Sequence, residues 1–534
     1  MIRHTPQRAQ RRRALTVVAG SAAAAVLLAA CAGQPSGDPI QGAGTDAGAI
    51  NPDAIIEAGI SYTLGGSFDP LLASGAVTVA ANWHIFEGLV DLDPVTREPY
   101  AALAADLPAQ IDDVTYELDL REGATFHNGE PVTTDDVVFS FERVLNPDTG
   151  GFFTSFIDFI DTVESVDEDT VRITTDYPFS LVNERLGVVK IVPQAAVEAD
   201  PEAFGTLPIG SGPYRLISAV PDDALVFERF EEYNGPRPAL AAGMNWNLLS
   251  DPAARVTAMS SGSIVAMEDV PYIDVDSLAA TAEVESIQSF GLLFMMFNTQ
   301  VEPFDDPRVR QAMHYALDMD TIINTGMLGN ATAASSFLPE THPNYQEAST
   351  VYEYDPELAR ELLDEAGVGE IDLTLLTTDT GWVREVAPLI KESLDAVGVN
   401  TTLDIAQSSA QYGKVDAGDY QVMVAPGDPS VFGNDPDLLM RWWYGDNIWS
   451  NTRTQWAGSE EYASLTAALD EAVRLTGDAQ QAAWGEAFDM LAEEAVLYPL
   501  FHRQLPSAWD AERLVGFAPV PTTGLSFLDV GVTD

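Results

Sequence analysis

The sequence predicts an α/β protein of two or three domains, built on a parallel or mixed sheet covered by helices. Three observations carry this. Ile371, Leu373 and Leu375 alternate as a strand, Trp382 to Val397 has helical spacing up to Gly398, and Val399, Thr401, Leu403 and Ile405 alternate again. That order and length suit a right-handed strand–helix–strand crossover. Between positions 114 and 145 an alternating strand is likewise followed by an amphipathic helix. Finally, roughly 480 residues follow Asp53, too many for a single core.

The first element is an address. Arg11-Arg12-Arg13 precedes an apolar, alanine-rich run from Ala14 to Ala30, and Leu28-Ala29-Ala30 leads into Cys31, the only cysteine in 534 residues. A basic start, a short apolar core and small residues before a thiol form the layout of a bacterial lipoprotein signal; the run is short for a membrane span. Residues 1–30 are therefore expected to be removed and Cys31 lipidated, which anchors the protein on the outer side of the cytoplasmic membrane. The arginine triplet leaves both the general and the twin-arginine export routes open. With one cysteine no intramolecular disulfide can form. Residues 31–53, rich in Gly, Pro, Ser, Ala and Asp, read as a tether reaching roughly 25 Å as a flexible coil.

Removing residues 1–30 takes away five arginines and no acid, so the net charge moves from −56 to −61 and 21 basic residues face 82 acidic ones. Nucleic acid is excluded as a partner because too few cations remain to neutralise phosphates. Disorder is excluded as well, since 46% hydrophobic residues with nine Trp, 16 Tyr and 23 Phe fill a large core. The acidity reads as solubility outside the cell.

Along the folded part, Val114, Tyr116, Leu118 and Leu120 face one way on a strand, and Thr133 or Thr134 caps a helix carrying Val137, Val138, Phe141, Val144 and Leu145. Gly210-Ser211-Gly212-Pro213-Tyr214 reads as a tight return between strands. Leu292 to Phe297 is a buried strand. Asp306-Pro307 opens a helix with Val309, Ala312, Met313, Ala316 and Leu317 on one face; Asp355-Pro356 opens another with Leu358, Leu362, Leu363 and Ala366, ending at Gly367. Trp484, Phe488, Leu491 and Ala495 mark a last amphipathic helix.

Catalytic signals are thin. Asp-Thr-Gly, the tripeptide paired in aspartic proteases, occurs at Asp148 and Asp379, but among 82 acidic residues and without the following Ser or Thr it carries little weight. The six histidines are scattered without metal-ligand spacing, and no cofactor is called for. Trp442, Trp443, Tyr444, Trp449 and Trp456 cluster just after Asp428, Asp435 and Asp437, a composition that either lines a ligand cleft or forms half-buried core.

The run from Val114 to Arg143, VTYELDLREGATFHNGEPVTTDDVVFSFER, resembles the extracellular solute-binding proteins of family 5, the dipeptide and oligopeptide binders of ABC importers. Further blocks agree in order: Phe68 to Pro70 with Phe86 to Leu89; Gly210 to Tyr214; Asn298 with Pro303 to Asp306 and Arg308 to Ala312; and Tyr354 to Leu363 with Ala366-Gly367. The resemblance implies a two-lobe, periplasmic-binding-protein-like clamp (Venus flytrap, type II or cluster C) with an inserted subdomain. Lobe I would comprise residues 54–98, the insert 99–188, and segments 189–292 and 499–534; lobe II would be 293–498. A monomer would close on solute between the lobes and deliver it, chemically unaltered, to an ABC permease with its separate ATPase.

Similar peptide binders pair an Asp at the end of a second-lobe strand with the ligand's α-ammonium, a position that falls here on Asp428, after Ala425-Pro426-Gly427. Ala73-Ser74-Gly75 matches first-lobe backbone contacts, and Thr378-Asp379-Thr380-Gly381 matches the place of a carboxylate partner. Asn298, Trp442 and Trp443 complete the expected ligand contacts. This chain departs from the pattern where peptide binders carry Trp before the key Asp, and it has no Arg at 378–381, the nearest being Arg384. A peptide is the expected ligand. Oligosaccharide, nickel-chelate, haem and opine binding, a signalling receptor, and a secreted hydrolase are the alternatives.

Overall fold

The computed structural model describes residues 49–151 and 153–533. The expected signal peptide, Cys31 and most of the tether lie outside the described residues. The tether was expected to reach Asp53, but the chain is already pinned at Ile50, which bridges Thr533, and at Asn51, whose N–H donates to Val532 O at 2.7 Å.

One eleven-stranded mixed sheet runs through the molecule. In its first half Ile55–Ile60 lies parallel to both Gly243–Leu248 and Ala266–Met267, and the antiparallel strands Ala224–Arg229 and Tyr214–Val220 extend it. In its second half Ile371–Thr378 lies parallel to both Val399–Ala406 and Val422–Gly427. Two long antiparallel strands, Glu283–Phe297 and Leu497–Trp509, join the halves. Cuts at 292/293 and 498/499 fall inside these strands. Their register shifts between Gln288 and Leu292, where an irregular pairing lets the ladder bend.

Each half has its own core. Ile56, Phe86, Trp246 and Phe527 belong to the first; Leu293, Val309, Val386 and Val422 belong to the second. A separate four-stranded antiparallel sheet is ordered Ala109–Gln110, Thr115–Asp119, Thr170–Thr175, Ile160–Ser165. Tyr116 and Ile173 of this sheet, with Phe141 and Phe156 of the helices beside it in sequence, share a third core with Leu439, Trp443 and Phe488, so the 99–188 segment buries its apolar side against helices of the second half.

Local sequence explains the helix boundaries. Thr133 caps Thr134–Leu145 through a reciprocal capping box with Asp136. Asp306 and Asp355 cap Pro307–Tyr315 and Pro356–Glu365, each with Pro at the first helical position. Gly398 stops the crossover helix with φ +96°, a conformation that costs Gly nothing. On Pro356–Glu365 Ala359 and Leu363 are buried in the second core, and Leu362 and Ala366 pack against it. One expectation needs correction. Gly210 to Tyr214 is no return between strands: a Cβ on Gly210 or Gly212 would lie 2.0 Å from Ile85 O or 2.4 Å from His84 O. Both glycines instead permit close passage over the end of helix Ala76–Ile85, where Gly212 N–H donates to Ile85 O at 2.8 Å.

Candidate functional site

A cavity of about 460 Å³ opens where the two long strands meet both halves of the sheet. Gly291, Leu292, Phe294, Arg503 and Leu505 come from the long strands, Pro426, Gly427 and Asp428 from the end of Val422–Gly427 and the residue after it, and Tyr62, Ser74 and Ala76 from the first half. Trp382, Tyr412, Phe432, Trp442, Trp443 and Trp449 supply an aromatic wall, with Val431, Arg453 and Thr523 completing the lining.

Asp428 stands where Pro429 ends the strand, and caps the short turn Pro429–Val431. Its Oδ1 accepts from Ser430 N at 3.3 Å and Ser430 Oγ at 2.5 Å; its Oδ2 accepts from Thr523 N at 2.9 Å and Thr523 Oγ1 at 2.8 Å. All these donors are neutral, and among the described residues no cation forms an ion pair with it. Arg97 lies nearby and donates to Ser430 O at 2.5 Å. Burial pulls the Arg97 pKa down to about 10, and the charge of Asp428 opposes that shift.

Asp435 caps helix Pro436–Tyr444 by accepting from Leu438 N at 2.9 Å, and the helix carries the two neighbouring tryptophans. Trp443 is 1% exposed and packs edge-on against Phe294 and Trp449; Trp442 is half-buried with its ring centre 5.2 Å from that of Phe432. The cations are fixed. Arg503 donates to Asp269 Oδ1 at 2.5 Å and lies 5.0 Å over the Trp382 ring. Burial works against its charge, but the oxygens of Tyr272 and Asp269 outweigh it and hold its pKa above the usual range. Such a site suits a small solute with apolar surface and charged groups at defined places.

The structure gathers some of the expected residues and not others. Asp428, Gly427, Pro426, Ser74, Trp442 and Trp443 line the cavity. Ala73 lines a neighbouring 90 Å³ cavity, and Gly75 precedes helix Ala76–Ile85 as its N-cap. Ala425 is fully buried in its strand. Thr378, Asp379, Thr380 and Gly381 stand outside the lining: Thr378 Oγ1 bonds Thr380 Oγ1, Asp379 N–H donates to Ala406 O, and the cavity receives their neighbour Trp382 instead. Asn298 is also outside it, because its amide donates to Tyr420 O and accepts from Gln300 N and Gln455 Nε2 in a buried turn. Asp148 and Asp379 are both exposed and neither lines the cavity. Arg453, Arg503, Tyr62 and Tyr412 were missed. In a chain this poor in cations, an arginine four residues after Trp449 was the available signal.

A family model described as bacterial extracellular solute-binding proteins, family 5 Middle, matches residues 98–451. The glutathione-binding protein GsiB of Pectobacterium atrosepticum is 27% identical over 493 residues, covering 90% of this chain and 94% of that one. Among solved structures, the periplasmic binding protein AgaA of A. tumefaciens R10 in complex with agropinic acid superposes with a TM-score of 0.78 at 24% identity, covering 90% of this chain and 99% of that one. DppA of Helicobacter pylori in complex with the peptide STSA gives a TM-score of 0.78 at 22% identity, covering 90% and 98%. These likenesses extend over both halves of the sheet, and the fold is the two-lobe α/β architecture of periplasmic binding proteins.

Proposed function

The chain belongs to the family 5 bacterial extracellular solute-binding proteins of ABC importers, and on that premise we propose that its cargo is a short peptide held by its free amino terminus. The observation that carries this reading is Asp428: a carboxylate on the cavity wall, oriented by neutral donors, with no ion-pair partner among the described residues. An ammonium placed against it forms a charge-assisted bond in a partly dehydrated site, and a ligand lacking that group leaves the charge uncompensated. The volume lies toward the lower end of the range of small-molecule sites, which favours short peptides. The names of the relatives, which bind glutathione and the peptide STSA, point the same way.

In this reading residues 1–30 are a signal peptide, lipid on Cys31 holds the mature monomer on the outer side of the cytoplasmic membrane, and residues 293–498 close against the remainder by bending the two long strands. Cargo is passed unaltered to a permease. The aromatic wall supports a second reading, an oligosaccharide stacked on Trp442 and Trp449. Native mass spectrometry of the protein incubated with an equimolar mixture of di- and tripeptides and their N-acetylated forms tests both. Stoichiometric retention of unmodified peptides alone is expected. Retention of acetylated forms equally well removes the ammonium assignment, retention of neither leaves the sugar reading ahead, and turnover of the peptides indicates a hydrolase.

A further inference from the structure

We propose that Arg453 is a specificity-determining residue that pairs with a carboxylate of the bound solute; this deepens, and rests on, the peptide reading above. Arg453 closes a single π-helical turn, Trp449–Arg453, and lines the cavity. Its guanidinium lies 4.2 Å from the ring centre of Trp449 and 4.5 Å from that of Tyr412. Nε donates to Asp416 Oδ1 at 2.7 Å, and the backbone carbonyl accepts from the Tyr420 hydroxyl at 2.5 Å.

These contacts immobilise the side chain while using one of the five N–H donors of a guanidinium. Among the described residues the two terminal nitrogens have no hydrogen-bond partner, so the edge of the fork that matches a carboxylate in bidentate fashion stays open. Asp416 is 39% exposed, so solvent screens its charge and it only partly cancels that of Arg453. The other cation of the cavity, Arg503, is differently placed: Asp269 takes one terminal nitrogen and its Nε is buried. With Asp428 as the only acidic residue of the lining, the cavity offers one open anionic and one open cationic position. The complementary solute is a zwitterion, its ammonium toward Asp428 and its carboxylate toward Arg453. This chain, at a net charge of −56, repels anions, so preference for a carboxylate has to be built locally.

The experiment compares three dipeptide mixtures by native mass spectrometry and competition calorimetry: free acids, C-terminal amides of neutral dipeptides, and C-terminal amides carrying Asp or Glu at the second position. The free acids are expected to bind at least about tenfold more tightly than the neutral amides, and Arg453→Gln to erase that ratio while preference for an unacetylated amino terminus persists. Recovery of binding in the acidic amides assigns the carboxylate to a side chain; its absence assigns it to the C-terminus, and either supports the role of Arg453. Equal binding of free acids and neutral amides overturns the inference and leaves the peptide reading standing. So does a ratio that survives in Arg453→Gln, or in Arg453→Met should the first variant not fold. Retention of none of the mixtures overturns both.

Discussion

Asp428 and Thr523 meet at the cavity edge, where Oδ2 of the aspartate accepts both the backbone N–H of Thr523 at 2.9 Å and its hydroxyl at 2.8 Å. Asp428 follows a strand of the second half, whereas Thr523 precedes Leu525 and Phe527 in the core of the first, so one carboxylate serves both the ligand wall and the contact between halves. Asp428→Asn replaces one acceptor oxygen with a donor, which cannot satisfy Ser430 and Thr523 together. Affinity for unacetylated peptides should fall at least about tenfold while the far-ultraviolet circular dichroism stays unchanged. Calorimetry showing unaltered affinity removes Asp428 from the site.

Gly427 holds the cavity wall to its thickness. A Cβ there would lie 2.6 Å from Cζ2 of Trp443, a ring 1% exposed and packed against Phe290, Phe294 and Trp449. Gly427→Ala should therefore cost about 1–3 kcal/mol of stability through overpacking and also weaken ligand binding, because the displaced indole moves into the cavity. Thermal melts with and without peptide separate the two effects. A variant matching the parent in both shows that the ring yields freely.

Much of the fold was legible because its signals are local. The crossover from Ile371 to Ala406 combines period-two alternation, helical spacing and a Gly stop, and Thr133, Asp306 and Asp355 each announce a helix with a cap. Gly210 and Gly212 were misread because what they accommodate, the backbone at His84 and Ile85, lies more than a hundred residues away. The site divides in the same manner. Asp428 and the two tryptophans sit in short segments with a recognisable pattern, whereas Arg503 is one polar position in the largely buried strand Leu497–Trp509 and reaches the cavity only through long-range strand pairing.

Arg185 joins the segment carrying the four-stranded sheet to the second half through a fully buried cluster. Its Nε and one terminal nitrogen donate to Asp435 at 2.8 and 2.7 Å, the latter nitrogen also reaches Asp437 at 2.5 Å, and the other donates to Phe156 O at 2.7 Å. Replacing it by Met leaves Asp435 buried without its cation, a change that typically costs about 3–5 kcal/mol. Adding Asp435→Asn should restore part of the loss, since Asn still caps Leu438 N and brings no charge. Denaturant titration of the single and double variants measures the coupling. Equal stability of Arg185→Met and the parent contradicts a structural role for the cluster.

Glu268, 5% exposed directly after strand Ala266–Met267, accepts from Ser61 N at 2.9 Å and Ser61 Oγ at 3.2 Å. Burial raises its pKa from 4.5 to about 7, and the bonds from Ser61 recover only part of that penalty. Because the folded value is the higher one, the folded state holds a proton that the unfolded chain has already released between pH 4.5 and 7. The stability Glu268 contributes is thus fully present below pH 4.5 and is lost as the pH rises through 7. Glu268→Gln mimics the protonated side chain, so variant and parent should melt together near pH 4, with the variant gaining as the pH rises, by up to about 3 kcal/mol above pH 8. Comparing the two proteins at each pH cancels the repulsion of the acidic surface, which both share. A stability difference that stays flat from pH 4 to 8 means that burial does not raise the Glu268 pKa in the folded protein.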